Sequence, residues 1–303
     1  MISRKRPELA LIYDFDGTLA PGNMQEHDFI PQLGIKPKEF WRRAKEKAKE
    51  QRADEILAYM QVMLEEARGK KVPVTHAAFA EFGKKVELFQ GVEDWFARIN
   101  RIGAKNGLTV RHYIVSSGLR EMIEATAIAR EFTRIYASAF MYDHNKVACW
   151  PALAVNYTTK TQFLFRINKG VLDVWDDKRI NDFVPKQDRA VPFSRMVYIG
   201  DGSTDVPCMK LVRTQGGYSI AVYKPHSPRK AYAETFVRDD RASCVAPADY
   251  SEDGRIDKLV TAIIRKVSAE FALEKDFGQP KKPGSSESPV VPNADDGEGE
   301  ESS

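Results

Sequence analysis

The stretch that most constrains what this chain can fold into is LALIYDFDGT, Leu9 to Thr18. A run of mostly apolar residues, Leu9–Tyr13, leads directly into two aspartates separated by one phenylalanine. A short apolar run bounded by turn residues is consistent with a fully buried strand. Carboxylates this close repel each other, and burying them is costly unless something positive lies between them. Either Asp14 and Asp16 sit on a solvated turn, or the strand ends in a site that holds a cation and does chemistry.

The rest of the chain favours the second reading. From Gly91 onward, strand and helix patterns alternate: a helix in GVEDWFARINRIGAKNG, a strand in LTVRHYIV, a helix in SSGLREMIEATAIA and a strand in RIYASAFMYD. A helix in KTQFLFRINKG follows, then strands in RMVYIG and YSIAVYK. Such alternation implies an α/β fold, a Rossmann-like parallel sheet of about five strands. Residues from about 24 to 88 break the pattern, because their apolar residues (Phe40, Trp41, Ala44, Ala48, then Ile56, Met60, Met63, Leu64) recur at helical spacing. Thr75 is a candidate N-cap for a further helix. The expected organisation is an α/β core over residues 1–20 and 90–277, an all-helical insert over 21–89, and an acidic tail over 278–303. The tail is rich in Pro, Gly, Ser and acid, and reads as disordered.

Composition narrows the function classes. No apolar run approaches the roughly 18 residues of a membrane helix, and the basic start MISRKRPE precedes a run too short for a signal peptide. The expected location is cytoplasmic, with no membrane partner. Cys149, Cys208 and Cys244 are odd in number and far apart, which reads as reduced thiols rather than a disulfide framework or a zinc site. The net charge of +3 divides into −4 from Lys281 onward and +7 over residues 1–280. A mildly basic body suits anionic substrates. Basic and aromatic residues are not interleaved as in base-stacking surfaces, so nucleic acid is not an expected partner. The basic run from Lys36 to Arg52 reads as a solvated helix face.

Three strands end in polar clusters: YDFDGT, VSSG and GDGSTD. In open parallel sheets ligands bind outside the carboxyl ends of the strands. Asp14 can attack phosphorus as a nucleophile. Asp16 can protonate the leaving group and later activate water. Asp201, and with it Asp205, can complete the oxygen-rich site that Mg²⁺ prefers, which places a cation among the repelling acids. Ser116, or its neighbour Ser117, can bind phosphoryl oxygens together with backbone N–H groups at a helix start. Lys160, opening its helix, is the candidate for balancing charge on the transferring group, with Lys169 as the rival. Glu26, His27 and Arg120 fall near the expected mouth, with structural or solvated roles as the simpler reading. Trp41, Trp95 and Phe163 read as core.

Taken in order, DxDGT, an apolar strand ending in Ser, a helix-opening Lys and GDGxxD resemble the four motifs of the haloacid dehalogenase-like (HAD) phosphohydrolase superfamily. The resemblance spans most of residues 8–225 outside the helical insert. It implies Asp14 as the nucleophile and a Mg²⁺ ligand. Asp16 becomes the general acid/base, with its main-chain carbonyl on the metal. Ser116 becomes the phosphate binder, Asp201 the metal-binding acid and Asp205 its supporting acid. The insertion point after the first motif makes the helical block resemble a C1-type cap, as in phosphoserine phosphatase-like members. The implied activity is a Mg²⁺-dependent phosphomonoesterase acting on a small phosphorylated metabolite through an aspartyl-phosphate. The alternatives are a dehalogenase or phosphonatase on the same fold, or a non-catalytic ligand binder. Two departures stand out: 40 residues separate Lys160 from Asp201, so VWDDKRINDFVPKQDRAVPFSRM reads as an inserted loop. In addition, LAPGNMQEHDF lacks the acidic specificity segment of a phosphoserine phosphatase.

Overall fold

The apolar run forms β1 (Glu8–Tyr13), the middle strand of a seven-stranded sheet. Its side chains divide between the two faces of that sheet. Leu9, Leu11 and Tyr13 join one hydrophobic cluster, and Ala10 and Ile12 join another. Both faces are covered, which is why the strand reads as continuously apolar rather than alternating. The computed structural model describes residues 6–277; the acidic tail expected over 278–303 lies outside them.

After β1 come four helices, α1 (Phe29–Gln32), α2 (Pro37–Gln51), α3 (Glu55–Lys70) and α4 (His76–Gly83). No strand forms over residues 21–89; Thr75 makes an isolated bridge to Val147. Local chemistry sets the ends of these helices. Pro37 opens α2, where its missing N–H would be unpaired anyway. The Asp54 carboxylate accepts from the Ile56 and Leu57 N–H groups at 2.8 and 3.2 Å to cap α3. The Thr75 hydroxyl accepts from Ala78 N–H at 3.1 Å to cap α4. Three cations of the basic run pair with acids: Arg42 with Glu39 and Glu46, Arg43 with Glu39 and Glu66, and Lys47 with Glu65.

The alternation then resumes with α5 (Val92–Lys105), β2 (Thr109–Leu119), α6 (Arg120–Ile123), β3 (Arg134–Tyr142) and β4 (Ala148–Leu153). Next come α7 (Lys160–Lys169), α8 (Asp177–Asn181), β5 (Met196–Gly200), α9 (Val206–Thr214) and β6 (Tyr218–Tyr223). The chain then runs through α10 (Arg229–Arg238), β7 (Cys244–Pro247) and α11 (Arg255–Phe277). The strand order is β4-β3-β2-β1-β5-β6-β7, all parallel except β4, which pairs antiparallel with β3. One face carries α5 and α11, which Arg98 and Asp257 join by a 2.9 Å ion pair, and the helical block shares its cluster. The other face carries α7, α9 and α10.

Two sequence expectations change. The parallel sheet gains β7 and the antiparallel edge strand β4, giving seven strands rather than about five. The helix expected from Ser116 onward shrinks to Arg120–Ile123, because β2 continues through both serines to Leu119, with a register break against β3. Thr126 ends α6 early by donating its hydroxyl to Ile123 C=O at 2.7 Å. Among the described residues no helix is long and apolar enough to cross a membrane, and all three cysteines are free thiols.

Candidate active site

The carboxyl ends of β1, β2 and β5 meet over one cavity of about 290 Å³. Asp14 leaves β1 with its N–H donated to Ile199 C=O on β5 at 2.9 Å, so its position is set by the sheet. The chain then turns sharply. Phe15 C=O accepts from Leu19 N–H at 2.9 Å, and Gly17 N–H donates to Ala20 C=O at 2.7 Å. Gly17 has φ +73°, and a Cβ there would collide with the Asp201 carboxylate. Glycine at this place both permits the left-handed turn and lets two acids approach. Asp16 lies within this turn, and its carboxylate accepts the Met24 N–H at 2.8 Å.

On β2, Ser116 is fully buried and its Oγ accepts from Gly118 N–H at 3.0 Å. Ser117 has a buried Oγ with no partner, and both serines line the cavity. The Ser117 carbonyl accepts from Tyr59 of α3 at 2.7 Å, tying the helical block to the site. The hydroxyls are presented by a strand and a bulge, not by the start of a long helix. On the far side, Asp201 follows β5 and enters the cavity, while Asp205 lies completely buried beneath it. Asp205 Oδ2 accepts from Gly202 N–H at 3.1 Å, and its Oδ1 accepts from Tyr198 O–H and Lys160 Nζ, both at 2.7 Å.

Lys160 is wholly buried, and its Nζ also stands 3.1 Å from Asp14 Oδ1 as an ion pair. The turn that launches it is well tied. Asn156 C=O accepts from Lys160 N–H at 2.9 Å, and Asn156 Oδ1 accepts from Thr159 N–H at 2.8 Å. Asn156 Nδ2 donates to Asp54 of the α3 cap at 2.7 Å. Lys169, at the other end of α7, donates to the Ile180 and Asp182 carbonyls at 2.6 and 2.7 Å, away from the cluster.

Oxygens of Asp14, Asp201 and Asp205 lie within 4.8 Å of one another. Burial, and then the neighbouring Asp205, push the Asp14 carboxyl up to about 6 despite Lys160. Burial and Asp14 push Asp201 up to about 8. Burial and Asp14 likewise drive Asp16 well above the usual carboxylate range. Burial alone would lower Lys160, but Asp14 and Asp205 outweigh it and hold the ammonium charged. Burial is the largest cause of these upward shifts and the neighbouring acids come next, and a divalent cation among the carboxylates would offset both.

Of the sequence candidates, Asp14, Asp16, Ser116, Ser117 and Asp201 line the cavity, with Lys160 and Asp205 directly beneath. The Asp16 carboxylate is not one of the clustered three. Glu26 is occupied by Asn23 and Trp41, both at 2.6 Å, His27 contacts the Pro21 carbonyl at 2.9 Å, and Arg120 faces Glu124. None of these three lines the cavity. Trp95 and Phe163 are core. Sequence reasoning missed Arg229 and Ile56, both of which line the cavity. Arg229 follows the end of β6, so the rule that located the other strand ends would have found it.

A family model described as haloacid dehalogenase-like hydrolase matches residues 11–210, and the chain belongs to that family. A protein of Borreliella burgdorferi described as uncharacterized is 29% identical over 283 residues, covering 86% of this chain and 96% of the relative. Among solved structures, a HAD family hydrolase from Salmonella enterica serovar Typhi superposes with a TM-score of 0.54 at 15% identity, covering 86% of this chain and 72% of that one. A substrate-bound phosphoserine phosphatase superposes at 0.52 with 13% identity over 81% and 96% of the two chains. A probable phosphoserine phosphatase from Vibrio cholerae superposes at 0.51 with 13% identity over 88% and 69%. At these identities the likeness is one of fold.

Proposed function

We propose that this chain is a Mg²⁺-dependent phosphomonoesterase that acts on a small phosphorylated metabolite through an aspartyl-phosphate on Asp14. The observation that carries the reading is the placement of Asp14 at the cavity floor, with a buried, charged lysine 3.1 Å from its Oδ1. That arrangement keeps an anionic nucleophile and a fixed cation on the same reacting group.

The residues fit a hard divalent cation. Three carboxylates converge with oxygen donors only, and burial has raised two of them toward neutrality without it. Asp14 and Asp201 would hold the ion, with Asp205 supporting and Asp16 contributing its main-chain carbonyl as in the family. When bound, Mg²⁺ neutralises the acids and draws electron density from the phosphoryl oxygens.

The chain's own groups then divide the work. An Asp14 oxygen forms a bond to phosphorus as the bond from phosphorus to the leaving oxygen breaks. Asp16, whose carboxyl favours its protonated form, gives that proton to the leaving oxygen. It then takes a proton from the water that attacks the aspartyl-phosphate, and Asp14 is released with inorganic phosphate. Ser116 and Ser117 hold phosphoryl oxygens, and Lys160 balances their charge. Residues 21–89 serve as the cap over the core of 1–20 and 90–277, with Ile56 of α3 reaching the cavity. A dehalogenase needs no proton donor at Asp16, since halide leaves unprotonated, so the phosphate ester is preferred. The free thiols suit a reducing cytoplasm.

The test separates the two acids. In Asp16→Asn, kcat/KM for alkyl phosphates, which reports the step in which the leaving group departs, should fall by about 10²–10⁴-fold, while kcat/KM for aryl phosphates, whose leaving groups need little protonation, should fall at least about tenfold less. Equal losses on both would assign Asp16 to placement rather than proton transfer.

A further inference from the structure

Among the described residues the catalytic cavity has one cation on its wall, and the phosphoryl chemistry does not use it. Arg229 opens α10, lines the cavity and keeps 70% of its side chain exposed. Among the described residues its one acidic partner is Asp201 Oδ2, at 3.5 Å. Asp201 is an acid that the proposed function commits to the metal, so a bound cation takes away the partner that Arg229 has. The loop leading to it, Lys224-Pro225-His226-Ser227-Pro228-Arg229-Lys230, contains no acid, and the next one, Glu234, already faces Lys230 at 3.7 Å. His226 takes φ +57°, which folds the loop tightly between β6 and α10. The remaining wall is small and polar: among the described residues Ile56 is its one apolar side chain, and no aromatic ring lines it.

We propose that Arg229 is a specificity residue that reads a second anionic group, so that the substrate class is a small polar phosphomonoester carrying a carboxylate or a second phosphate. This rests on the phosphomonoesterase reading for the reacting phosphate. A guanidinium offers a planar pair of donors matched to either oxyanion. A cavity of about 290 Å³ without aromatic surface gives a nucleobase nothing to stack on. Lys160 serves the transferring phosphoryl group from below, and Arg229 serves the rest of the molecule from the mouth.

Matched pairs of esters test it with Mg²⁺ present. In one arm 2-phosphoglycerate is compared with glycerol 2-phosphate, which replaces the carboxylate by a hydroxymethyl group. In the other, propane-1,3-diol bisphosphate is compared with its monophosphate. In at least one arm kcat/KM should favour the more anionic member by about 10- to 100-fold, the range of a charge-assisted hydrogen bond. Arg229→Ala should reduce that ratio to within about twofold, with Arg229→Lys in between. If Arg229 only neutralises Asp201, both members change together and the ratio survives, which overturns the proposal, as does a ratio near one in both arms for the parent. Calorimetry of the same pairs on Asp14→Asn protein, with and without Arg229→Ala, separates the two readings. Absence of phosphate release from any ester would defeat the phosphomonoesterase reading. A preference in Kd lost on Arg229→Ala would still uphold Arg229, and equal Kd values within each pair would overturn it.

Discussion

Lys160 and Lys169 stand at opposite ends of α7, identical in chemistry and different in circumstance. Lys160 is wholly buried between Asp14 and Asp205, while Lys169 reaches out to two backbone carbonyls at the end of α8. The first end lies over the carboxyl ends of β1 and β5, where the sheet converges its acids. The second lies beside the inserted segment containing α8, where helix-end and loop carbonyls need donors. The contrast teaches that a lysine's role here is set by which end of the sheet its helix faces. A buried ammonium survives here because two carboxylates compensate its desolvation, and in the proposed mechanism it then faces the phosphoryl group.

The largest break in that contrast should come from Lys160→Met. It removes the cation from the reacting group and leaves Asp14 and Asp205 without it, so kcat/KM should fall by about 10²–10³-fold, comparable to losing one oxyanion donor. Steady-state kinetics on any turned-over phosphomonoester measures it, and loss of less than about tenfold would remove Lys160 from the chemistry.

A second effect sharpens the electrostatic side. Asp14 and Asp201 have folded pKa values of about 6 and 8 against an ordinary 3.8. Raised carboxyl pKa values favour the fold while the groups are protonated, so this stability is present below about pH 4 and is lost as pH rises through 6 and 8. Mg²⁺ replaces those protons, so its gain in Tm should be larger at pH 8 than at pH 5, by about 3 °C or more. A gain equal at both pH values, or larger at pH 5, would show that the clustered acids are not the metal site.

The smallest effect belongs to the other end of α7. Lys169→Ala should leave kcat/KM within about twofold and lower stability by about 1 kcal/mol through two lost carbonyl hydrogen bonds. Thermal unfolding and kinetics on the one variant check both, and a kinetic defect as large as that of Lys160→Met would erase the contrast.

The legible parts of this molecule were those where local pattern and tertiary role coincide. Asp14, Asp16, Asp201 and Lys160 are visible because each sits where an apolar segment ends or a helix begins, and the parallel sheet makes such points converge. β4 was illegible because Cys149 and Trp150 face solvent and Pro151, unfavourable in strands, stands inside it, leaving no apolar alternation. β7 is only Cys244–Pro247, too short to show a period. The reach of β2 through Ser116 and Ser117 depends on pairing with β3 beyond them, to Ser138, which no local signal reveals. Arg229 lies six residues beyond the end of β6 at Tyr223, past a loop without a motif, so only the convergence of strand ends points to it. The link from Asn156 to Asp54, joining the turn before Lys160 to the cap of α3, is a contact across more than a hundred residues and has no sequence signature.

The most direct measurement is to trap the covalent state. The enzyme would be quenched during turnover with Mg²⁺, its acyl phosphate reduced with borohydride, and the peptide containing Leu9–Thr18 mapped by mass spectrometry. The expected result is conversion of Asp14 to homoserine, absent in Asp14→Asn, which should also show no turnover. In Asp16→Asn, assayed with an aryl phosphate, the modified fraction should be larger because water attack on the intermediate is slowed. Phosphate release without modification at Asp14, in a protein whose Asp14→Asn variant still turns over, would contradict the covalent mechanism.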